Sequence, residues 1–235
     1  MKYLINSYFK KIWHDAAYSN NQILVSFIEP SNQAKILDIG VFRGELIIER
    51  VKNIKKPDIY AVDKDQKAVT SCQKLGIKAV KCDIEKGLPF KANFFEIVSA
   101  NQIIEHLINI DLFIKEIHRV LKPGGFLLLA TENLSSWHNI FALILGWQAF
   151  SQHLSVHKNL GNPIRMLDSK DFDHDMHIKI FTLRGLKELV ELYNLKVEKV
   201  YGAGYYPFPT PFSRLLSQLD PLHSPFIGLK ARKYK

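Results

Sequence analysis

Cysteine is scarce. Cys72 and Cys82 are the only two in 235 residues, too few for a disulfide framework or for a zinc site, which needs about four ligands. Long apolar runs are missing as well. No segment reaches the ~20 apolar residues that span a bilayer, and Met1–Lys10 lacks the apolar stretch and small-residue cleavage site of a secretory signal. A cytoplasmic chain is therefore expected. Acidic residues are also in deficit, with 23 Asp+Glu against 32 Lys+Arg, a net charge of +9 and a pI near 9.4. That balance favours acidic partners such as nucleic acid, anionic lipid or phosphorylated substrates. The basic residues are scattered except at the end, where Lys230, Arg232, Lys233 and Lys235 cluster.

What is present is an ordinary packing composition, 47% hydrophobic and 23% charged, in a length that suits a single domain. Residues 1–30 carry Tyr8, Ile12, Trp13, Ala16 and Ala17 at helical spacing, so one or two amphipathic helices are expected there, closed by Pro30. From 35 to 131 short β-rich runs alternate with longer helical stretches, the pattern of βαβ units in a parallel sheet. Strands are expected at Lys35–Ile39, Asp58–Val62, Lys78–Cys82, Phe95–Ala100 and Gly125–Thr131, with Lys122–Gly125 ending the helix before the last of these. Regularity is then lost for about 45 residues, the mark of an inserted lid, 132–178. Within it Ile140–Trp147 is an apolar stretch long enough for a lid helix that also dips into a membrane surface. Thr182 caps an expected helix to Tyr193, and strands follow near Lys196–Tyr201 and Phe226–Leu229. Pro207–Pro225 reads as a loop covering the site.

The informative block is Ile36–Gly44, an apolar strand running through Asp38 and Gly40 into a turn that ends at Gly44 and opens a helix. Glycines there let backbone approach a ligand, and the helix start favours its anionic end. The spacing is not the Gly-x-Gly-x-x-Gly of dinucleotide enzymes, and Asp38 suits an ammonium group better than a pyrophosphate. Asp63 ends the next apolar strand, placed to accept hydrogen bonds from two ribose hydroxyls; it also serves as a helix N-cap.

With Val80–Glu85, Phe94–His106 and Ile117–Gly125 in order behind them, these blocks resemble the class I S-adenosylmethionine-dependent methyltransferases of the small-molecule type. The likeness runs over 35–131, with a weaker echo at 177–201. It implies an α/β, Rossmann-like, doubly wound and mostly parallel seven-stranded sheet with N-terminal helices and an inserted lid. It also implies S-adenosyl-L-methionine as cofactor, held by Asp38, Gly40, Gly44, Asp63, Asp83, Ile84 and Asn101. Asp83 would take the adenine amino group and Ile84 would pack on the ring. Phe42 stands where the family's middle motif glycine does. The exit of the fourth strand lacks the Asn/Asp-Pro-Pro-aromatic signature of base methylation, which lowers nucleic acid as acceptor.

Among nine histidines, His118 reads as packing. His106 stands at a strand exit where ligands bind. His174 and His177 lie in an Asp/His-rich stretch compatible with a metal, although no metal ligand set is assigned. By resemblance, His177–Thr182 borders the acceptor pocket, making His177 the expected catalytic residue, a base or a substrate-orienting group. The expected function is methyl transfer to a small-molecule acceptor, at oxygen, by in-line displacement. The alternatives are a non-catalytic module binding S-adenosylmethionine or nucleic acid, and a methyltransferase of membrane-associated lipid with peripheral contact to anionic membrane.

Overall fold

The computed structural model describes residues 2–41, 44–155, 157–158, 160–164 and 176–234. Seven strands form one sheet in the order β3-β2-β1-β4-β5-β7-β6. They are β1 Ser31–Ile39, β2 Ile54–Asp63, β3 Lys78–Lys81, β4 Phe95–Asn101, β5 Leu121–Glu132, β6 Leu195–Ala203 and β7 Phe226–Lys233. β1 to β5 are parallel, and β7 inserts antiparallel between β5 and β6. The helices are α1 Lys2–Ser26, α2 Glu45–Arg50, α3 Gln66–Lys74, α4 Ile110–Val120, α5 Trp137–Ile144, α6 Leu183–Leu192 and α7 Thr210–Leu219.

Both faces of the sheet are covered, so its central strands read as continuous apolar runs whose alternate residues go to opposite layers. Leu37, Ile39, Val98, Leu127 and Leu129 pack against Phe113, Ile114 and Ile117 of α4 and Leu186 and Val190 of α6. Ile36, Ile97, Leu128 and Ala130 pack against Leu24 of α1, Ile47 of α2 and Val69 and Cys72 of α3. Each fully buried side chain of this size stabilises the fold by roughly 1.5–3 kcal/mol. Caps set the helix starts: Asp65 accepts from the Lys67 N–H, Asn109 from Leu112 and Thr182 from Gly185.

The N-terminal segment is one helix of 25 residues, within the expectation of one or two. Two expectations are corrected. The 207–225 tail is not all loop, because Thr210-Pro211 opens α7, where proline's fixed φ suits a first helical turn. The last strand runs on to Lys233, which takes Lys230 and Lys233 of the basic end cluster out of solution. Lys230 is buried against Glu29 and Glu198 and over the Phe126 ring. The Lys233 ammonium donates to Asn93 Oδ1 and to the carbonyls of His118 and Leu121, each at 2.8 Å. All three of its N–H groups are thus used, two of them on carbonyls at the end of α4.

Candidate active site

Strand order reverses between β1 and β4, and open α/β sheets bind ligands at the carboxyl ends beside such a switch. At the end of β1, Gly40 has φ +74°, and a Cβ there would stand 1.9 Å from Ile103 Cδ1. Only glycine lets the turn pass under that side chain. Gly44, φ +81°, begins α2. Phe42 lies outside the described residues.

Asp38 points into the protein rather than outward. Its carboxylate meets Arg50 of α2 at 2.6 Å, both side chains being almost fully buried. Arg50 also reaches Ser99 Oγ at 3.0 Å and Asn21 Oδ1 at 2.9 Å. Burial pushes the Asp38 carboxyl up, opposed by the Arg50 charge and by hydrogen bonds from Ser99 and Arg50. Asp38 thus has an internal partner, Arg50, that ties β1 to α2 and β4.

The other expected cofactor residues line the same edge. Asp63 ends β2 and accepts the Asp65 N–H at 2.9 Å. Asp83 begins a one-turn 3-10 helix, Ile84–Lys86, accepts from the Glu85 N–H and pairs with Lys86 at 3.0 Å. Its hydrogen bond from Lys86 holds its carboxyl low. Ile84 is half-buried beside them. Asn101, ending β4, takes a hydrogen bond from Asn20 of α1, whose own carbonyl receives the Tyr201 hydroxyl. The N-terminal helix is thereby fastened over the strand ends.

On the β4–β5 side the structure gathers polar groups that the sequence scatters. A 3-10 turn after β4, Ile104–His106, carries Glu105 and His106. The stretch from Met176 is laid beside it, because the Glu105 carbonyl accepts the N–H groups of Ile178 and Lys179 and Phe181 bridges Asn133. His177 thereby reaches the end of β5, with Nδ1 2.7 Å from the Ser151 carbonyl and 3.6 Å from Glu132 Oε2. Its ring centroid lies 4.9 Å from that of His106 and 4.7 Å from that of His153. Burial lowers the His177 pKa, raises Glu132 and pushes Glu105 up to about 8. His174 lies outside the described residues.

Beside this cluster is a cavity walled by Phe9 and Trp13 of α1, His138 of α5, Phe150, Tyr206 and Phe226, with Glu132 and Ser151 in its lining. The buried Tyr206 hydroxyl has no hydrogen-bond partner among the described residues. Burial takes His138 down to about 3, so its ring is neutral. The cavity is thus aromatic with a few polar groups, the usual make-up of a site for a small organic molecule. Sequence reasoning missed Glu105, Glu132, Ser151, Tyr206 and Arg50. Only the Glu105-His106 pair at a strand exit offered a signal.

Residues 37–129 match the model of a family described as a methyltransferase domain. The mitochondrial ubiquinone biosynthesis O-methyltransferase of Rattus norvegicus is 28% identical over 127 residues, 54% of this chain and 32% of that protein. The ubiquinone biosynthesis O-methyltransferase of Bartonella bacilliformis is 26% identical over 221 residues, 84% of this chain and 77% of that one. The chain spans about a third of the rat protein's length and about half of some bacterial relatives of the same name. In fold it is similar to an S-adenosylmethionine-dependent methyltransferase of Thermotoga maritima, with TM-score 0.64, 16% identity and coverage of 99% and 97% of the two chains.

Proposed function

We propose, on the methyltransferase-domain match over residues 37–129 and the shared fold, that the chain is a class I S-adenosylmethionine-dependent methyltransferase that methylates a hydroxyl group of a small, largely apolar, ring-bearing acceptor. The observation that carries this reading is the aromatic cavity whose lining carboxylate, Glu132, lies 3.6 Å from His177. The O-methyltransferase names of the relatives favour oxygen as the acceptor atom.

The donor set fits the cofactor. Carboxylates at the ends of β2 and after β3, Asp63 and Asp83, suit ribose hydroxyls and an adenine amine, and Ile84 offers an apolar surface for the ring. Gly40 and Gly44 shape the turn beneath, and Asn101 closes the inner side. Asp38 acts indirectly, holding that turn through Arg50. Bound S-adenosylmethionine supplies a methyl group on a sulfonium sulfur, and displacement there leaves a neutral thioether. The protein's own work is then alignment, which can lower a barrier by up to ~7–11 kcal/mol, and management of the acceptor's proton. Phe9, Trp13 and Phe150 exclude water and grip the ring, Tyr206 orients a polar substituent, and His177 with Glu132 handles the hydroxyl.

Release of S-adenosylhomocysteine tests this with a panel of phenols and catechols beside aromatic amines. Phenolic acceptors are expected to support turnover; transfer to amines alone, or to nothing in either set, overturns the reading.

A second reading concerns where the acceptor resides. No helix among the described residues is long and apolar enough to cross a membrane, yet α5 exposes Phe141, Leu143 and Ile144 and α7 exposes Phe212, Leu215 and Leu219. Trp137 of α5 links the two by stacking on His223, just beyond α7. Apolar residues presented this way suit an interfacial contact, through which a lipid-like acceptor could reach the cavity. Lys230 and Lys233 do not contribute to such a contact, since both are buried. Sedimentation with anionic vesicles separates this reading from a freely diffusing acceptor.

A further inference from the structure

Asn101 ends β4 level with Gly40 of the β1 turn, since Ser99 and Ala100 lie beside Asp38 and Ile39. Along this edge the strand order is β3, β2, β1, β4. With the acids after β3 and β2 assigned to adenine and ribose, the amino-acid end of the cofactor is the part that reaches β4. That end carries an ammonium, which needs acceptors, and a carboxylate, which needs donors. A side-chain amide serves either one, depending on which way it is turned.

Two buried residues decide the turn. Asn20 of α1 donates from Nδ2 to Asn101 Oδ1 at 2.9 Å, and Tyr201 of β6 donates its hydroxyl to Asn20 Oδ1 at 2.6 Å. Burial pushes the Tyr201 hydroxyl well above its ordinary pKa, so it keeps its hydrogen. Among the described residues that hydroxyl makes no other hydrogen bond. Turning the Asn20 amide over would leave a buried hydroxyl hydrogen unpaired, a cost that folded proteins avoid. The polarity therefore runs one way, from β6 through α1 to β4. It consumes Asn101 Oδ1. Asn101 is only partly buried, and its Nδ2 makes no hydrogen bond among the described residues. What Asn101 offers a ligand is thus a donor.

We propose that Asn20, held by Tyr201, is a positioning residue that fixes Asn101 as a hydrogen-bond donor to the carboxylate of S-adenosylmethionine. Docking of α1 is then coupled to recognition of the cofactor. The next residue of the helix, Asn21, accepts from Arg50, the partner of Asp38, so adjacent side chains of α1 brace the ends of both β1 and β4. The inference rests on the S-adenosylmethionine reading and deepens it.

The test compares calorimetric binding of S-adenosylmethionine with that of its decarboxylated form, which lacks only the carboxylate. Wild type is expected to prefer the intact cofactor by about tenfold or more, as a hydrogen bond to a charged group implies. Asn20→Asp keeps the shape and still accepts from Tyr201 but cannot donate, so Asn101 must turn its Nδ2 inward and its oxygen to the ligand. In this variant the preference should fall below about threefold, with the decarboxylated form bound as by wild type. Asn101→Ala should show the same fall, and adding Asn20→Asp to it should change the preference by less than about twofold, because the two act through one group. A wild-type preference in Asn20→Asp, an equal loss for both ligands, or a large further loss on top of Asn101→Ala overturns the inference. If Asn20→Asp does not fold, Asn20→Leu replaces it. Asn101 then turns freely, and the preference should drop by about threefold or more, the cost of ordering a loose side chain on binding; an unchanged preference overturns the positioning role. If wild type binds the intact cofactor no better than the decarboxylated form, this inference falls and the cofactor reading stands. If it binds neither, that reading falls as well.

Discussion

The two halves of the site handle charge in opposite ways. Along β1–β3, Asp63 and Asp83 sit at strand ends in partial contact with solvent, each bonded to a neighbouring turn. Along β4–β5, Glu105 is fully buried and accepts from the Thr131 hydroxyl, while His177, largely buried, has Nδ1 against the Ser151 carbonyl. The first arrangement is local and keeps carboxylates ready to accept hydrogen bonds. The second is assembled by the fold and shifts protonation through burial. Recognition of adenine and ribose needs only the former; chemistry on an acceptor's proton calls for the latter. Asp38 joins the two, an acid of the first half that has been buried like the second.

That makes Asp38 the place where the contrast breaks most visibly. Asp38→Ala leaves Arg50 buried without its counter-charge, which is expected to cost about 3–5 kcal/mol of stability, a large share of the ~5–15 kcal/mol a domain has. The denaturant midpoint measures it, and the apolar pair Asp38→Leu with Arg50→Met should recover much of the loss. A cost below about 1 kcal/mol would mean that Ser99 and Asn21 satisfy Arg50 unaided. On the acceptor side, His177→Gln is expected to lower kcat by about 100-fold, the lower range for loss of a group that assists proton transfer. Affinity for S-adenosylmethionine should not change. If both parameters fall together, His177 supports the cofactor half instead. On the cofactor side, Asp63→Ala should weaken S-adenosylmethionine binding tenfold or more, since hydrogen bonds to a charged group contribute roughly 1.5–3 kcal/mol each. An unchanged dissociation constant in a folded variant removes Asp63 from the site.

The same contrast explains what could be read in advance. The strand alternation, the β1 turn and the acid after β2 follow from residues a few positions apart, so Asp38, Gly40 and Asp63 can be singled out as candidates from spacing, whereas Asp83 is singled out by resemblance. Even there, the Arg50 partner was invisible, because one arginine in a short helix carries no mark of pointing inward. The β4–β5 half depends on contacts between distant segments, such as the Glu105 carbonyl accepting from Ile178 and Lys179 or Asn133 beside Phe181. No local period encodes those. The C-terminal lysines misled for a related reason: counted as charge they resemble a free basic patch, while the β5–β7–β6 pairing buries Lys230 and Lys233.

That buried end gives the smallest expected effect. Glu198 on β6 lies against Arg232 and Lys230 of β7. The hydrogen bond from Arg232, helped by the charges of Arg232 and Lys230, holds its carboxyl below the ordinary value of 4.5. Glu29, bonded first of all by Lys230, is lowered as well. A carboxylate whose pKa is lower in the folded than in the unfolded chain contributes stability above the unfolded value and loses it as pH falls through the folded one. The contribution should therefore be full at pH 7, begin to fade near pH 4.5 and vanish below. Its size should stay near ~0.2–1 kcal/mol, because the Arg232–Glu198 hydrogen bonds lie exposed and solvent screens the pair. Glu198→Gln is the variant to compare with wild type, with unfolding midpoints measured from pH 7 to pH 3. The gap between the two curves should close as pH falls. A gap that persists at pH 3 would assign the effect of Glu198 to packing in the β6–β7 pair and not to its charge.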